Sequence, residues 1–262
     1  MILCGGSATD LPQQGPDVCS MFNTVDSYDT HAKIPEYFAS MDNIAKKSNT
    51  LALISCGWDP GLFSLNRSLL ESILPIGENY VFYGKGLSQG HSDAIRRIKG
   101  VKNAVQYTVP YEDSVEKVRN GKNPHFSSVR EVMWRECFVV LDDDAIPEIV
   151  EKEIKEMPNY FEPYNTVVNF ISEQELKEKH STMPHGGFVL RSGKTSQDTK
   201  QIAEFSLKLD SNPEFTASVL IAYARAVFRM KNEGSSGAIT VLDVPISLLS
   251  TKTRDELLKY IL

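Results

Sequence analysis

The chain has 262 residues, a formal net charge of −6, and 41% hydrophobic against 24% charged residues. A chain of that length and composition can bury roughly 70–75% of its unfolded surface. Its acidic balance argues against a nucleic-acid partner, which would call for a basic stripe.

No stretch approaches the ~20 apolar residues of a membrane span, and no basic-then-apolar leader opens the chain. Cys4, Cys19, Cys56 and Cys137 form no C-x-x-C pair, so a reduced, cytoplasmic protein is expected. His31, His91, His125, His180 and His185 never fall in H-x-x-x-H or H-E-x-x-H spacing, so no metal is expected.

In chain order, Met1 to Cys4 reads as the end of a buried strand, and Gly5-Gly6-Ser7 as the turn that leaves it. Residues 16–22 suggest a short helix with Pro16 at its first position. Ile34, Tyr37, Phe38, Met41 and Ala45 have helical spacing over residues 34–47. The apolar run 50–56 has strand length and leads straight into "GWDPG". Residues 1–57 therefore alternate strand and helix, the pattern of a parallel sheet with crossover helices.

The middle of the chain changes character. Runs at 79–86, 103–109, 136–142, 166–172, 186–193 and 203–210 read as strands, several alternating apolar and polar residues. Helical patterns intervene at 62–73, 93–98, 112–119 and 145–155. This predicts an α+β region with an open, mostly antiparallel sheet and helices on one face. Asn212 as cap, Pro213 and Glu214 then start a long helix to about Met230, with Phe215, Val219, Ala222, Ala226 and Met230 on one face. A last helix covers 254–262.

The chemistry concentrates at the ends of the first strands. Asp59 stands between Trp58 and a rigid Pro60-Gly61 turn at the carboxyl end of a buried strand. "VDSYD" places Asp26 and Asp29 at the same edge, and ligands in open α/β sheets bind in that crevice. Helix capping is the competing reading of these acids. The glycine-rich "GGSATD" and "GKGLSQGHSD" are weak signals on their own.

Taken together, "GSATD", "VDSYD", "GWDPG", "GLSQGHSDAIRRIKGVKNAVQYTVP", "RECFVV", "MPHGG" and "KLDSNPEFTAS" are collinear. They resemble the meso-diaminopimelate dehydrogenase family from Gly5 nearly to the last residue. The resemblance implies an α/β protein. An incomplete Rossmann-type dinucleotide domain would occupy residues 1–57 and 209–262, and a substrate-binding and dimerisation domain residues 58–208.

It implies an oxidoreductase acting on a CH–NH2 group with NADP as acceptor. Such an enzyme oxidises meso-2,6-diaminopimelate at its D-centre to L-2-amino-6-oxopimelate and ammonia, and in reverse supplies lysine and the cell wall. A homodimer is implied, with no nucleic-acid or membrane partner. In that family a strand, a G-x-G-x-x-G turn, a helix and a further strand precede the segment that Met1 opens. The resemblance therefore reads the chain as N-terminally truncated, with low activity expected as written. The alternatives are an inactive or ligand-binding fragment of the family, or another nicotinamide-dependent reductase of the lysine pathway.

Carried over residue by residue, the cofactor contacts fall on Cys4, Gly5, Gly6, Ser7, Ser27, Tyr28, Asp29, Cys56, Gly57, Trp58, Asp59 and Pro60. Asp59 and Asp29 are implied as the catalytic acids beside the reacting amine, Asp59 as base and Asp29 as orienter. Arg135, His185 and Thr108 correspond to the clamp on the distal carboxylate, and Asn212 to a further distal contact. Gln89, Gly90, His91 and Asp93 form a glycine-flanked loop that would close over substrate. Tyr83 stands where the family carries Trp, and Cys56 where it carries Thr.

Overall fold

A computed structural model describes residues 1–158 and 160–262. The chain divides into two compact units, residues 1–68 with 214–262, and residues 69–213.

The first unit begins with β1 (Ile2–Leu3), α1 (Leu11–Cys19), β2 (Thr24–Asp26), α2 (Ile34–Ser48) and β3 (Leu51–Leu53). β1 pairs with β2 and β2 with β3, all parallel, as the strand–helix alternation predicts. Period-two alternation along β3 sends successive side chains to opposite faces. Ala52 and Ile54 pack with Leu11, Tyr37, Met41 and Ala45 of the first two helices. Leu51 and Leu53 join the core on the other face.

α1 starts earlier than its proline suggests. The expected helix over 16–22 is replaced by one at Leu11–Cys19 that carries Pro16 inside it. Pro12 occupies the first turn, where a missing N–H is harmless, and Leu11, Gly15 and Cys19 turn one stripe inward. α2 ends where Asn49 adopts a left-handed conformation, φ 52°, and closes the last turn.

α3 (Leu62–Ile73) leads into the second unit. There follow β4 (Ile76–Tyr83), β5 (Gly86–Leu87), α4 (Gln89–Arg96), β6 (Val101–Pro110), α5 (Glu112–Arg119), β7 (Met133–Leu141), α6 (Pro147–Lys155), β8 (Asn165–Phe170), α7 (Glu173–Lys179), β9 (His185–Lys194) and β10 (Lys200–Leu209). The strands form two sheets rather than the single expected one. One has the order β10-β9-β4 and is antiparallel. The other has the order β5-β6-β7-β8, with β7 and β8 parallel. Alternation identifies strands but carries no information about their partners.

α8 (Asn212–Asn232) begins at Asn212 itself, one residue earlier than the Asn-capped reading. It buries Val219, Leu220, Tyr223, Ala226 and Val227, a wider stripe than the expected one. β11 (Gly237–Ile239) then joins β3 in parallel, giving the order β1-β2-β3-β11, and α9 (Arg254–Tyr260) follows. Among the described residues, no helix is long and apolar enough to cross a membrane.

Candidate active site

In the first unit three neighbouring parallel strands end on one edge, and the loops leaving them carry residues 4–7, 27–29 and 56–60. Hydrogen bonds tie the loops together. The Asp29 amide donates to Ser7 Oγ at 2.8 Å, and Ser7 Oγ lies 3.2 Å from Thr30 Oγ1. The Cys56 amide donates to the Asp26 carbonyl at 2.8 Å. Cys4 is exposed, whereas Cys56 is fully buried and burial pushes its thiol pKa up.

The "GWDPG" turn is closed by the Gly57 amide on the Pro60 carbonyl at 2.9 Å. Only glycine suits position 61: its φ is 132°, and a Cβ there would lie 1.8 Å from the Gly57 oxygen. Trp58 is held edge-on by Phe63 at 5.1 Å between centroids. The Asp59 side chain is 2% exposed and accepts from Arg67 Nη2 at 3.0 Å. Asp29 is exposed and, among the described residues, its carboxylate makes no ion pair. Ser27 is half-buried and Tyr28 buried. The carboxyl edge of a parallel sheet, with the small residues Gly5, Gly6 and Gly57 at the loop starts, fits a nicotinamide cofactor.

In the second unit, Thr108 of β6 faces Arg135 of β7 across the ladder. Arg135 is 5% exposed, donates from Nη1 to Thr108 Oγ1, and lies over the Tyr164 ring, 3.9 Å from its centroid. Burial lowers its pKa from the guanidinium range. Its charge acts on both neighbouring histidines. Burial first, then Arg135, pushes His91 down to about 4 and lowers His185 as well. Both rings are therefore neutral near neutral pH.

His185 opens β9, with Nδ1 accepting from the Gly186 amide at 2.8 Å. Its ring needs the absent side chain of Gly86, where a Cβ would sit 2.4 Å away. Gln89, Gly90, His91 and Asp93 lie on the first turns of α4, a helix rather than a loop. Ser88, with extended backbone, starts it, and its Oγ lies 2.7 Å from His91 Nδ1. Gln89 Nε2 reaches Met183 Sδ at 2.8 Å, and the Asn212 amide donates to the Met183 carbonyl at 3.0 Å. Asp93 pairs with Arg97 at 2.5 Å and Arg96 at 3.7 Å on its own helix. Tyr83 ends β4 opposite Gly187 of β9.

Sequence reasoning missed Arg67, Tyr164 and the side chain of Met183. Arg67 reaches Asp59 from the second turn of α3, the helix that follows the tight loop. Tyr164 sits in a turn before β8, so only the β7–β8 pairing brings it to Arg135. The "MPHGG" motif contains Met183, so that residue was legible by position though its role was not.

Residues 57–211 match the family model of the diaminopimelic acid dehydrogenase C-terminal domain. The whole chain is 62% identical over 262 residues to a meso-diaminopimelate D-dehydrogenase of Ureibacillus thermosphaericus, spanning 80% of that protein. It is also similar, with 55% identity and TM-score 0.95, to a crystal structure of a meso-DAPDH mutant with DAP from Clostridium tetani E88. That match covers 100% of this chain and 81% of the other. An engineered D-amino acid dehydrogenase bound to NADP+ is similar at 44% identity and TM-score 0.87, with the same coverage. The chain belongs to the meso-diaminopimelate dehydrogenase family.

Proposed function

We propose that this chain oxidises meso-2,6-diaminopimelate at its D-centre with NADP+, releasing ammonia and L-2-amino-6-oxopimelate, in the cytoplasm. The observation that carries the reading is the buried Arg135 with its hydroxyl partner Thr108, a fixed cation that suits a carboxylate. A fixed carboxylate stands at the parallel strand tips, and a buried guanidinium with a hydroxyl partner stands in the second unit. A substrate with an ammonium to be oxidised and a distant carboxylate to be held calls for both signs. Residues 4–7, 27–29 and 56–60 would hold the cofactor, which when bound accepts the hydride from the D-centre.

The roles of the chain's own residues follow from how firmly each is placed. A base must lie within hydrogen-bond reach of its proton. Asp59, shielded and anchored by Arg67, is the better fixed of the two acids and takes the proton from the ammonium. Asp29 orients the amine. As the C–H bond electrons leave, the carbon–nitrogen bond gains double-bond character, and a carboxylate beside it stabilises the growing positive charge. Water then adds to the imine and ammonia departs.

Arg135 holds the distal carboxylate through two parallel bonds, with Thr108 at its side and Asn212 beyond. His185 and His91 stay neutral, so they add no second cation beside Arg135. Tyr83, Gln89, Gly90 and Asp93 complete the substrate surface in this reading.

The protein is further proposed to act as a homodimer through its second unit. β8, the outer strand of its sheet, exposes Val167 (47%) and Phe170 (37%) in support. Light scattering at micromolar concentration checks this, and a monomer mass would refute it. The reaction itself is tested by the rate of NADPH formation with meso- and L,L-diaminopimelate. Turnover of the meso isomer alone is expected; equal rates would refute the stereochemical assignment.

A further inference from the structure

Asp26 ends β2 and has no part in the chemistry above, yet its side chain is completely buried. Burying a carboxylate is strongly unfavourable unless its oxygens are hydrogen-bonded. Here both oxygens are used. Oδ1 accepts from the Tyr28 amide at 3.0 Å and from the Ser55 amide at 3.1 Å. Oδ2 accepts from the Tyr37 hydroxyl at 2.9 Å.

The two amides belong to different loops. Tyr28 directly precedes Asp29. Ser55 opens the segment that runs to Asp59, and its φ of 56° lies in the left-handed region that side chains other than glycine rarely adopt. One carboxylate thus grips the loops of both active-site acids at their roots. The Asp26 carbonyl adds the bond from Cys56.

The grip is itself supported from two helices. The Tyr37 ring of α2 stacks on Tyr28 with centroids 4.2 Å apart. Gly15 of α1 leaves room for the Tyr37 hydroxyl, since a Cβ there would lie 2.1 Å from that oxygen. Gly15, Tyr37 and Asp26 form a continuous line from the outer helices to the two loops. Burial raises the Asp26 pKa, and the hydrogen bonds from Tyr28, Ser55 and Tyr37 oppose that rise.

We infer that Asp26 is a positioning residue that sets the placement of Asp29 and Asp59 relative to each other through the Tyr28 and Ser55 amides. The inference rests on the catalytic assignment of those two acids.

Three variants of the full chain test it: Asp26→Ala, Asp26→Asn and Tyr37→Phe. For each, kcat and KM are measured on folded protein together with hydrogen–deuterium exchange of residues 27–30 and 54–60. Misplacing a catalytic group by an ångström lowers turnover by about a hundredfold, which is the fall in kcat expected for Asp26→Ala. KM for meso-diaminopimelate should move by no more than about twofold, because binding of the distal end is untouched. Asp26→Asn keeps an acceptor for both amides and should restore kcat to within about tenfold of the parent.

Exchange of both segments should quicken in Asp26→Ala and Tyr37→Phe. A folded Asp26→Ala with parental kcat overturns the inference, even if it melts earlier, because that outcome describes scaffolding alone. If Asp26→Ala does not fold, parental kcat and exchange in Tyr37→Phe overturn it instead. If the parent itself fails to turn over, the functional reading fails, and exchange at the two segments alone decides the positioning claim.

Discussion

The two units hold their charged groups by different means. In the first, Asp29 and Asp59 ride on loops beyond strands of two or three residues, and their placement comes from hydrogen bonds between loops and from Arg67. In the second, Arg135 and Thr108 sit inside strands of nine and ten residues, where ladder register fixes them. Loop-borne groups can be adjusted by hydrogen bonds around them, as acid–base chemistry requires. A guanidinium inside a sheet is rigid and desolvated, which suits recognition of one carboxylate in a fixed orientation. If this division of labour holds, changes in the first unit should act on kcat and changes in the second on KM.

The largest expected effect is that of Asp59→Asn. Losing a general base lowers kcat by roughly 10²–10⁴-fold, with little change in KM. Steady-state rates check it, and a variant that loses affinity while keeping kcat would break the comparison at its first side.

Acidification probes the second unit. Folded His91 takes up its proton only near pH 4, whereas the unfolded chain does so at 6.5, so the unfolded state binds more protons between those values. Stability should therefore be lost as pH falls through that window, by up to about 3 kcal/mol from this residue. Denaturant melts at pH 7 and pH 4 on the parent and on His91→Leu measure the difference, which should be smaller in the variant.

Arg135→Lys comes next. A point charge cannot reproduce the fork, and a lost charged hydrogen bond costs about 1.5–3 kcal/mol, roughly 10- to 150-fold in KM. Smaller still is Thr108→Val, which removes one hydroxyl beside the guanidinium, costs about 0.5–1.5 kcal/mol and should raise KM roughly 2- to 12-fold. If either variant lowers kcat and leaves KM alone, the second unit is doing more than holding substrate.

The same contrast governs how much was readable beforehand. α3 and α5 begin and end where the helical patterns at 62–73 and 112–119 predict, and α5 also carries acids in its first turn and bases in its last. α7 went unseen because Leu176 is its one buried residue, although Ser172, which accepts from the Glu175 amide at 3.1 Å, marks its start. β11 is three residues long and is a strand only because β3 stands beside it.

At the site, "GWDPG" and "VDSYD" announce the acids because a strand followed by a tight turn is local information. The carboxylate beneath them was readable only as a second acid near the edge. Its three donors come from the loop after β2, from α2 and from the loop after β3, and no local pattern joins them. Tyr164 under Arg135 was invisible for the same reason. What sequence patterns specify is which residues face inward; which of them meet is decided by sheet order.

The most direct test removes the distal carboxylate from the substrate and the fork from the protein, singly and together. D-Lysine is meso-diaminopimelate without the carboxylate at its L-centre, so kcat/KM is measured for both substrates with the parent and Arg135→Lys. The account predicts a fall of roughly 10- to 150-fold on meso-diaminopimelate and less than about threefold on D-lysine, the coupling of a real contact. An equal fall on both substrates would contradict it, because Arg135 would then not be reading the carboxylate.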